Sequence, residues 1–239
     1  DLLGEKHLFY SISDDEVIFA SEPQPVLAVS RTDFSLDPLG VASSWMYMSA
    51  QPGKTLVSQL HRLMPGHSLC VSEHGEISVD QTLIFEPGKW IDYFNTNPSF
   101  DEVSELYRNS LMEACSRRVP DEVEFFATLS GGVDSTTVVS FSSQLGKRKI
   151  STIHGQSQDT SPSRGSDLSE SDAARYTANK LRTNHVEFDM RLLDPISDIR
   201  HVASNAFSGN TDPGILPFQM IAKKIRELQG KVVLFSDGP

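Results

Sequence analysis

Six consecutive residues, Ser130-Gly131-Gly132-Val133-Asp134-Ser135, gather groups suited to holding an anion. Two adjacent glycines let the backbone approach a ligand closely, with torsions that other residues avoid. If a helix begins here, its first N–H groups have no internal partner and point into the turn. Ser130, Ser135 and Thr136 add hydroxyls, Ser135 being one donor among several. Asp134 supplies a carboxylate able to hold a divalent cation that bridges phosphate oxygens. Phosphate with magnesium is the occupant this chemistry predicts. The pattern is not a Walker loop, because no Gly-Lys-Ser/Thr follows at the needed spacing. A Gly-Gly turn alone is also a common connection, so its setting decides what it means.

That setting is a strand that turns sharply into a helix. The apolar run Phe125-Phe126-Ala127-Thr128-Leu129 stops at the turn, and Val138, Val139 and Leu145 then recur in a periodic segment. From Val123 onward the pattern alternates. It predicts strand 123–129, helix 135–145, strand 149–154, helix 170–182, strand 185–189, a helix near 194–206, helix 214–228 and strand 231–235. Such alternation predicts an α/β fold, a parallel sheet with helices on both faces. Ligands of these sheets bind at the carboxyl ends of strands, where both Leu129–Ser135 and His154-Gly155 fall.

Ser-Gly-Gly-Val-Asp-Ser after a strand resembles the pyrophosphate loop of the ATP pyrophosphatases, which cleave ATP between its α and β phosphates to adenylate a substrate. The first half of the chain points to one branch of them. Asp1-Leu2-Leu3-Gly4-Glu5-Lys6-His7-Leu8-Phe9-Tyr10, then Phe19-Ala20-Ser21-Glu22, Leu36-Asp37, Pro52-Gly53-Lys54-Thr55-Leu56 and Leu63-Met64-Pro65-Gly66-His67-Ser68-Leu69 follow in the order seen in glutamine-hydrolysing asparagine synthetases. The order Glu170, Ala174, Ala178, Leu181, His185, Glu187 is similar to the same family. The resemblance implies an ATP-pyrophosphatase-like sheet domain preceded by a partial α+β, N-terminal-nucleophile-like amidotransferase lobe.

The resemblance also assigns roles. Ser130, Gly131, Gly132, Val133, Asp134 and Ser135 cradle the pyrophosphate of ATP, and Asp134 binds magnesium. Leu129 and His154 flank adenine, His154 standing where the family carries an aliphatic residue. Ser236 takes the place of a glycine near the nucleotide, and Asp237 the place of a catalytic glutamate. Asp1 holds the α-amino group of glutamine, while the family's cysteine nucleophile would lie upstream. The loop Asn210-Thr211-Asp212-Pro213-Gly214 matches one that offers the family an arginine for the substrate carboxylate, yet no arginine occurs between His201 and Lys223.

Composition bounds these expectations. The chain has 239 residues, 38% of them apolar, enough for one large domain or two modest ones. No segment approaches the ~18 consecutive apolar residues of a membrane span. The 21 basic and 32 acidic residues leave a net charge of −11, which opposes non-specific binding to nucleic acid. Cys70 and Cys115 are far apart, without metal-ligand spacing, and suit a reducing, cytoplasmic compartment. The chain opens on Asp1 and closes on Ser236-Asp237-Gly238-Pro239, so both ends read as cut from something longer.

The remaining stretches set the organisation. His7–Ile12 and Val17–Ala20 predict a β-hairpin turning at residues 13–16, and Ser68–Ser72 with Glu76–Val79 a second one. Residues 36–49 predict a helix. The breaker-rich stretch 86–98 marks a boundary between a domain at 1–95 and another at 96–239. Ser99-x-x-Glu102 predicts a capping box ahead of a packing helix, and Ser169-x-x-Asp172 caps a second helix. Residues 157–166, low in apolar side chains and too long for an ordinary connection, read equally as plain disorder or as an active-site lid.

The expected function is an ATP-dependent, AMP-forming amide synthetase that adenylates a carboxylate for attack by an amine or ammonia, with glutamine as a nitrogen donor in the family. Two alternatives stay open. One is an intramolecular amide-forming relative of the β-lactam synthetase or lasso-peptide cyclase type, which the missing arginine and the altered Ser236-Asp237 favour. The other is a fragment that binds nucleotide without turnover. A homo-oligomer is compatible with each.

Overall fold

The computed structural model describes residues 1–13, 16–84, 86–146, 149–156, 169–190, 195–205, 209, 212 and 214–236. The stretch 157–166, most of the loop 210–213 and Asp237 therefore lie outside the described residues. The chain divides into two compact units, residues 1–89 with 194–216, and residues 90–193 with 217–238.

The first unit is α+β. Strands β1 (Phe9–Ile12), β2 (Val17–Ala20) and β3 (His61–Arg62) form an antiparallel sheet in the order β2-β1-β3, with Phe9 opposite both Ala20 and Arg62. Strands β4 (His67–Val71) and β5 (Ile77–Gln81) make a separate hairpin, and helices α1 (Pro23–Val29) and α2 (Pro38–Tyr47) complete the unit's first ninety residues. Phe9, Val26, Val57 and Leu60 are its buried centre. Asp37 caps α2, its Oδ1 accepting from the N–H groups of Leu39 and Gly40 at 2.9 and 3.2 Å. Helix α1 was not expected. Pro23 stands in its first turn, where the missing N–H would have had no partner.

The second unit carries the predicted parallel sheet. Helices α3 (Gly88–Asn95) and α4 (Phe100–Ser116) precede β6 (Phe125–Thr128), α5 (Val133–Leu145), β7 (Ser151–Gln156), α6 (Glu170–Leu181) and β8 (Asn184–Asp189). After α7 (Pro195–Asn205), which groups with the first unit, α8 (Ile215–Glu227) and β9 (Val232–Leu234) follow. The strand order is β8-β7-β6-β9, all parallel. Helix α3 lies inside the stretch read as a boundary. It buries no residue, and the breakers around its start outweighed an apolar side made of Trp90, Ile91 and Phe94.

Alternation along β6 explains the two layers of helix. Phe125, Ala127 and Leu129 face one side, where they pack with Val139 of α5 and Ala174 and Ala178 of α6. Phe126 faces the other side with Ile153, against Ile221 and Ile225 of α8. Burying a side chain the size of Phe126 contributes roughly 1.5–3 kcal/mol. Helix α4 opens with the full capping box, Ser99 Oγ accepting from the Glu102 N–H and the Glu102 carboxylate accepting from the Ser99 N–H. It then packs on α5. The sheet thus holds β6 at its centre, with its carboxyl end free to carry a turn.

Candidate nucleotide site

The turn after β6 is built from within. Leu129, almost fully buried, donates its N–H to the Ile153 carbonyl at 3.0 Å and so continues the sheet for one further residue. Gly131 then takes a φ of +81°, a left-handed torsion that favours glycine. A Cβ at Gly131 would stand 2.5 Å from the Ala173 Cβ, 2.7 Å from the Ala173 carbonyl carbon and 2.7 Å from the Ala174 nitrogen. The turn is therefore pressed against the first turn of α6. Glycine is required here both for its torsion and for its lack of a side chain.

Ser135 ties the turn together. Its side chain is buried, and its Oγ accepts from the Ser130 N–H at 3.2 Å, donates to the Gly132 carbonyl at 3.2 Å and lies 3.1 Å from the Ser130 Oγ. The Gly132 N–H also donates to the Ser130 Oγ at 3.4 Å. The hydroxyl counted in the sequence as a ligand donor is thus turned inward, shaping the loop. Gly132 caps α5 with extended torsions (φ −69°, ψ 162°) and supplies no side-chain acceptor, so the first N–H groups of α5 are left facing outward. Val133 and Asp134 are exposed on the same turn.

Because the strands are parallel, the ends of β6, β7 and β9 share one edge, which brings Leu129–Ser135, His154 and Ser236 to the same side of the sheet. Thr128 Oγ1 reaches the Leu234 carbonyl at 3.5 Å, linking β6 to β9 just before Ser236. Asp237 lies outside the described residues. Asp1 belongs to the first unit, and its carboxylate organises the turn that follows. Oδ1 accepts from the N–H groups of Leu3 and Glu5 at 3.1 and 3.2 Å, and Oδ2 from that of Lys6 at 2.9 Å. Asp212 is exposed, its Oδ1 accepting from the Gly214 N–H at 2.8 Å.

A polar cluster between α6 and strands β7 and β8 was not anticipated. Arg175 donates from Nε and one terminal nitrogen to the two carboxylate oxygens of Glu187 at 3.1 and 2.9 Å, and from the other terminal nitrogen to Asp172 Oδ1 at 2.9 Å. Gln156 donates to Glu187 Oε2 at 2.8 Å, and His185 Nε2 lies 3.4 Å from Glu187 Oε1. Burial would raise the Glu187 carboxyl, but bonding and charge from Arg175 together with the neighbouring His185 and His154 hold it below the ordinary glutamate value. Burial pushes the His185 and His154 imidazoles down, against the pull of Glu187. The sequence signal for this cluster was polar residues at the alternate positions 152, 154, 185 and 187, all on one face of neighbouring strands.

No group of three or more His, Cys, Asp or Glu side chains converges as a metal cage among the described residues. Magnesium does not require one, since it is commonly held by one or two carboxylates together with phosphate oxygens and water. A lone exposed carboxylate beside outward-facing N–H groups, as at Asp134, fits that manner of binding. Cys115 is buried, which pushes its thiol up, while Cys70 is exposed. No helix among the described residues is long and apolar enough to cross a membrane.

The profile of the asparagine synthase family matches residues 106–239, more than half of the chain. The chain belongs to the asparagine synthase family. A glutamine amidotransferase domain profile matches residues 1–82. Asparagine synthetase [glutamine-hydrolyzing] 1 of Bacillus subtilis is 21% identical over 95% of this chain and 34% of its own length. The amidase chry2 of Gibberella zeae is 28% identical over 76% of this chain and 27% of its own length. Among solved structures, the NH3-dependent NAD synthetase of Campylobacter jejuni matches at 14% identity and a TM-score of 0.34, covering 59% of this chain and 58% of that one. The chain spans about a third or less of the length of these curated relatives.

Proposed function

We propose that the protein is an ATP-dependent, AMP-forming amide synthetase. A substrate carboxylate attacks the α-phosphorus of ATP through one oxygen, and pyrophosphate leaves with the bonding electrons. An amine or ammonia nitrogen then attacks the acyl carbon, loses a proton, and AMP departs. The reading is carried by one observation. Gly131 and Ser135 hold a tight turn at the end of the central strand, with the uncapped N–H groups of α5 directed outward.

In this reading the N–H groups from Gly131 to Asp134 and the Ser130 hydroxyl bind the departing pyrophosphate, and Leu129, Ser236 and the backbone of His154, whose ring is buried under α6, flank the nucleoside. Asp134 would hold magnesium, which neutralises charge building on the leaving group. The protein's own share is positioning and electrostatic stabilisation, with no protein nucleophile in the synthetase step. Asp237 is proposed as the acid beside the reacting groups. Asp1 is proposed to bind the α-amino group of glutamine as nitrogen donor, and the free thiols suit a cytoplasmic setting.

A second reading concerns the acceptor. A carboxylate removed from water without a cationic partner is strongly disfavoured, and the segment 202–222 contains no arginine while presenting the exposed Asp212. This favours a larger or intramolecular substrate over free aspartate. ATP–pyrophosphate exchange by the full-length protein tests both readings. Exchange with some carboxylate but not with aspartate is expected. Robust exchange at sub-millimolar aspartate would restore asparagine synthesis, and binding of ATP without exchange on any carboxylate would leave a nucleotide-binding protein.

A further inference from the structure

His154 lies within β7, before Gly155 and Gln156, and is 6% exposed on the face covered by α6. Its Nε2 lies 3.1 Å from the Ser171 Oγ, in the first turn of α6. The carbonyl of Ile153, the residue before His154, accepts at 3.0 Å from the N–H of Leu129, which opens the glycine turn. Residues 153 and 154 are therefore held to the turn through the strand backbone and to α6 through the ring, and turn and helix meet again at Gly131, against Ala173 and Ala174 of the same helical turn.

From this geometry we infer that His154 is a positioning residue: a neutral imidazole that locks the Leu129–Gly132 turn to the first turn of α6 and so fixes where the outward N–H groups point. The inference rests on the nucleotide reading above. With its hydrogen on Nδ1, the neutral ring offers its second nitrogen, Nε2, as an acceptor to the Ser171 hydroxyl. Protonation removes that acceptor and places a cation in the closed space between helix and sheet. The charged groups around the ring are Glu187 and His185 on β8 and Glu170 and Arg175 on α6. Glu187 is already bonded by Arg175 and Gln156, which limits its capacity to compensate a new positive charge. Burial accordingly favours the neutral ring.

The test is the dissociation constant of Mg-ATP for the full-length protein, measured by calorimetry between pH 5.5 and 8, with thermal unfolding recorded on each variant. His154→Leu is expected to weaken binding about tenfold, and Ser171→Ala about threefold, as one or two modest hydrogen bonds are lost. His154→Gln, which keeps a polar group toward Ser171, is expected to recover most of the affinity. Wild-type affinity falls as pH drops below 6.5, and this fall is absent in His154→Gln. If His154→Leu fails to fold, the Ser171→Ala value and the wild-type pH profile carry the decision. Affinities within twofold of wild type, or an identical pH profile in His154→Gln, would overturn the positioning role while leaving the nucleotide reading intact. A wild-type protein that binds no Mg-ATP at any pH would overturn the nucleotide reading itself, and this inference with it.

Discussion

Replacing Gly131 by alanine should be far more damaging than the same change at its neighbour Gly132, although both are in the same turn. At Gly131 the backbone has φ +81°, and a left-handed torsion costs alanine about 1–2 kcal/mol. The new methyl would also stand 2.5–2.7 Å from Ala173 and Ala174, two of the three contacts being backbone atoms of α6 that cannot rotate away. Relief requires the turn and the helix to separate, an overpacking cost of about 1–3 kcal/mol. The sum, roughly 2–5 kcal/mol, is a large part of a typical domain's ~5–15 kcal/mol. At Gly132 the added carbon meets only Ser130 Oγ, at 3.4 Å, with φ −69°. The remaining cost is the preference against alanine at a helix N-cap, about 1 kcal/mol. Urea unfolding of each variant reads the difference directly, and Mg-ATP titration reads its consequence for the site. Gly131→Ala should lower both stability and affinity, whereas Gly132→Ala should cost only about 1 kcal/mol of stability and, on the proposed pyrophosphate reading, lower affinity through a methyl added to the exposed side of the turn. Equal stability losses at the two positions would refute the reasoning.

Other expectations follow from the same geometry. Ser135→Ala strands the Ser130 N–H and should cost about 1–3 kcal/mol in urea unfolding, more than the loss of one exposed ligand donor would. Asp134→Asn should weaken the magnesium dependence of ATP binding while leaving thermal stability unchanged, because Asp134 is exposed; unaltered magnesium dependence would move the metal elsewhere. His7, His61, His154 and His185 are each held below the ordinary histidine value, burial being the largest cause. Below pH 6.5 the unfolded chain therefore binds protons that the folded chain resists, so stability should decline as pH falls from 6.5 toward 5, as unfolding free energies at each pH will show. Glu187, held low, contributes stability present above the ordinary glutamate value of 4.5 and lost as pH falls below it; Arg175→Met should reduce that loss.

What could be read in advance was what depends on local chemistry. The turn between β6 and α5, the Ser99–Glu102 box and the order of strands and helices from Phe125 onward are written in neighbouring residues, by apolar period, caps and glycines. The sheet order is consistent with those elements, since parallel strands joined by helices leave few arrangements. Helices α1 and α3 escaped because prolines and glycines at a helix start resemble breakers unless the cap is visible. The inward turn of the Ser135 hydroxyl escaped because sequence names a donor without its direction. The Arg175–Glu187–His185 cluster and the bridge from His154 to Ser171 escaped for another reason. Their members are up to 33 residues apart and meet through the register of β7 with β8, His154 opposite Glu187 and Thr152 opposite His185, and through the packing of α6 against those strands.

The strand order has a consequence for the emerging chain. Strand β6 pairs on one side with β7, which follows it closely, but on the other with β9, and the contact from Thr128 to Leu234 joins residues 106 apart. During synthesis, Phe125–Thr128 and the apolar side chains beside it must wait with one flank open until β9 leaves the ribosome. At ~5–20 residues per second that wait lasts roughly 5–20 s. An unpaired, strongly apolar edge of that kind is a template for association with other chains. Nascent chains halted between β8 and β9 should therefore be the most dependent on chaperones, and those extended past Leu234 markedly less so.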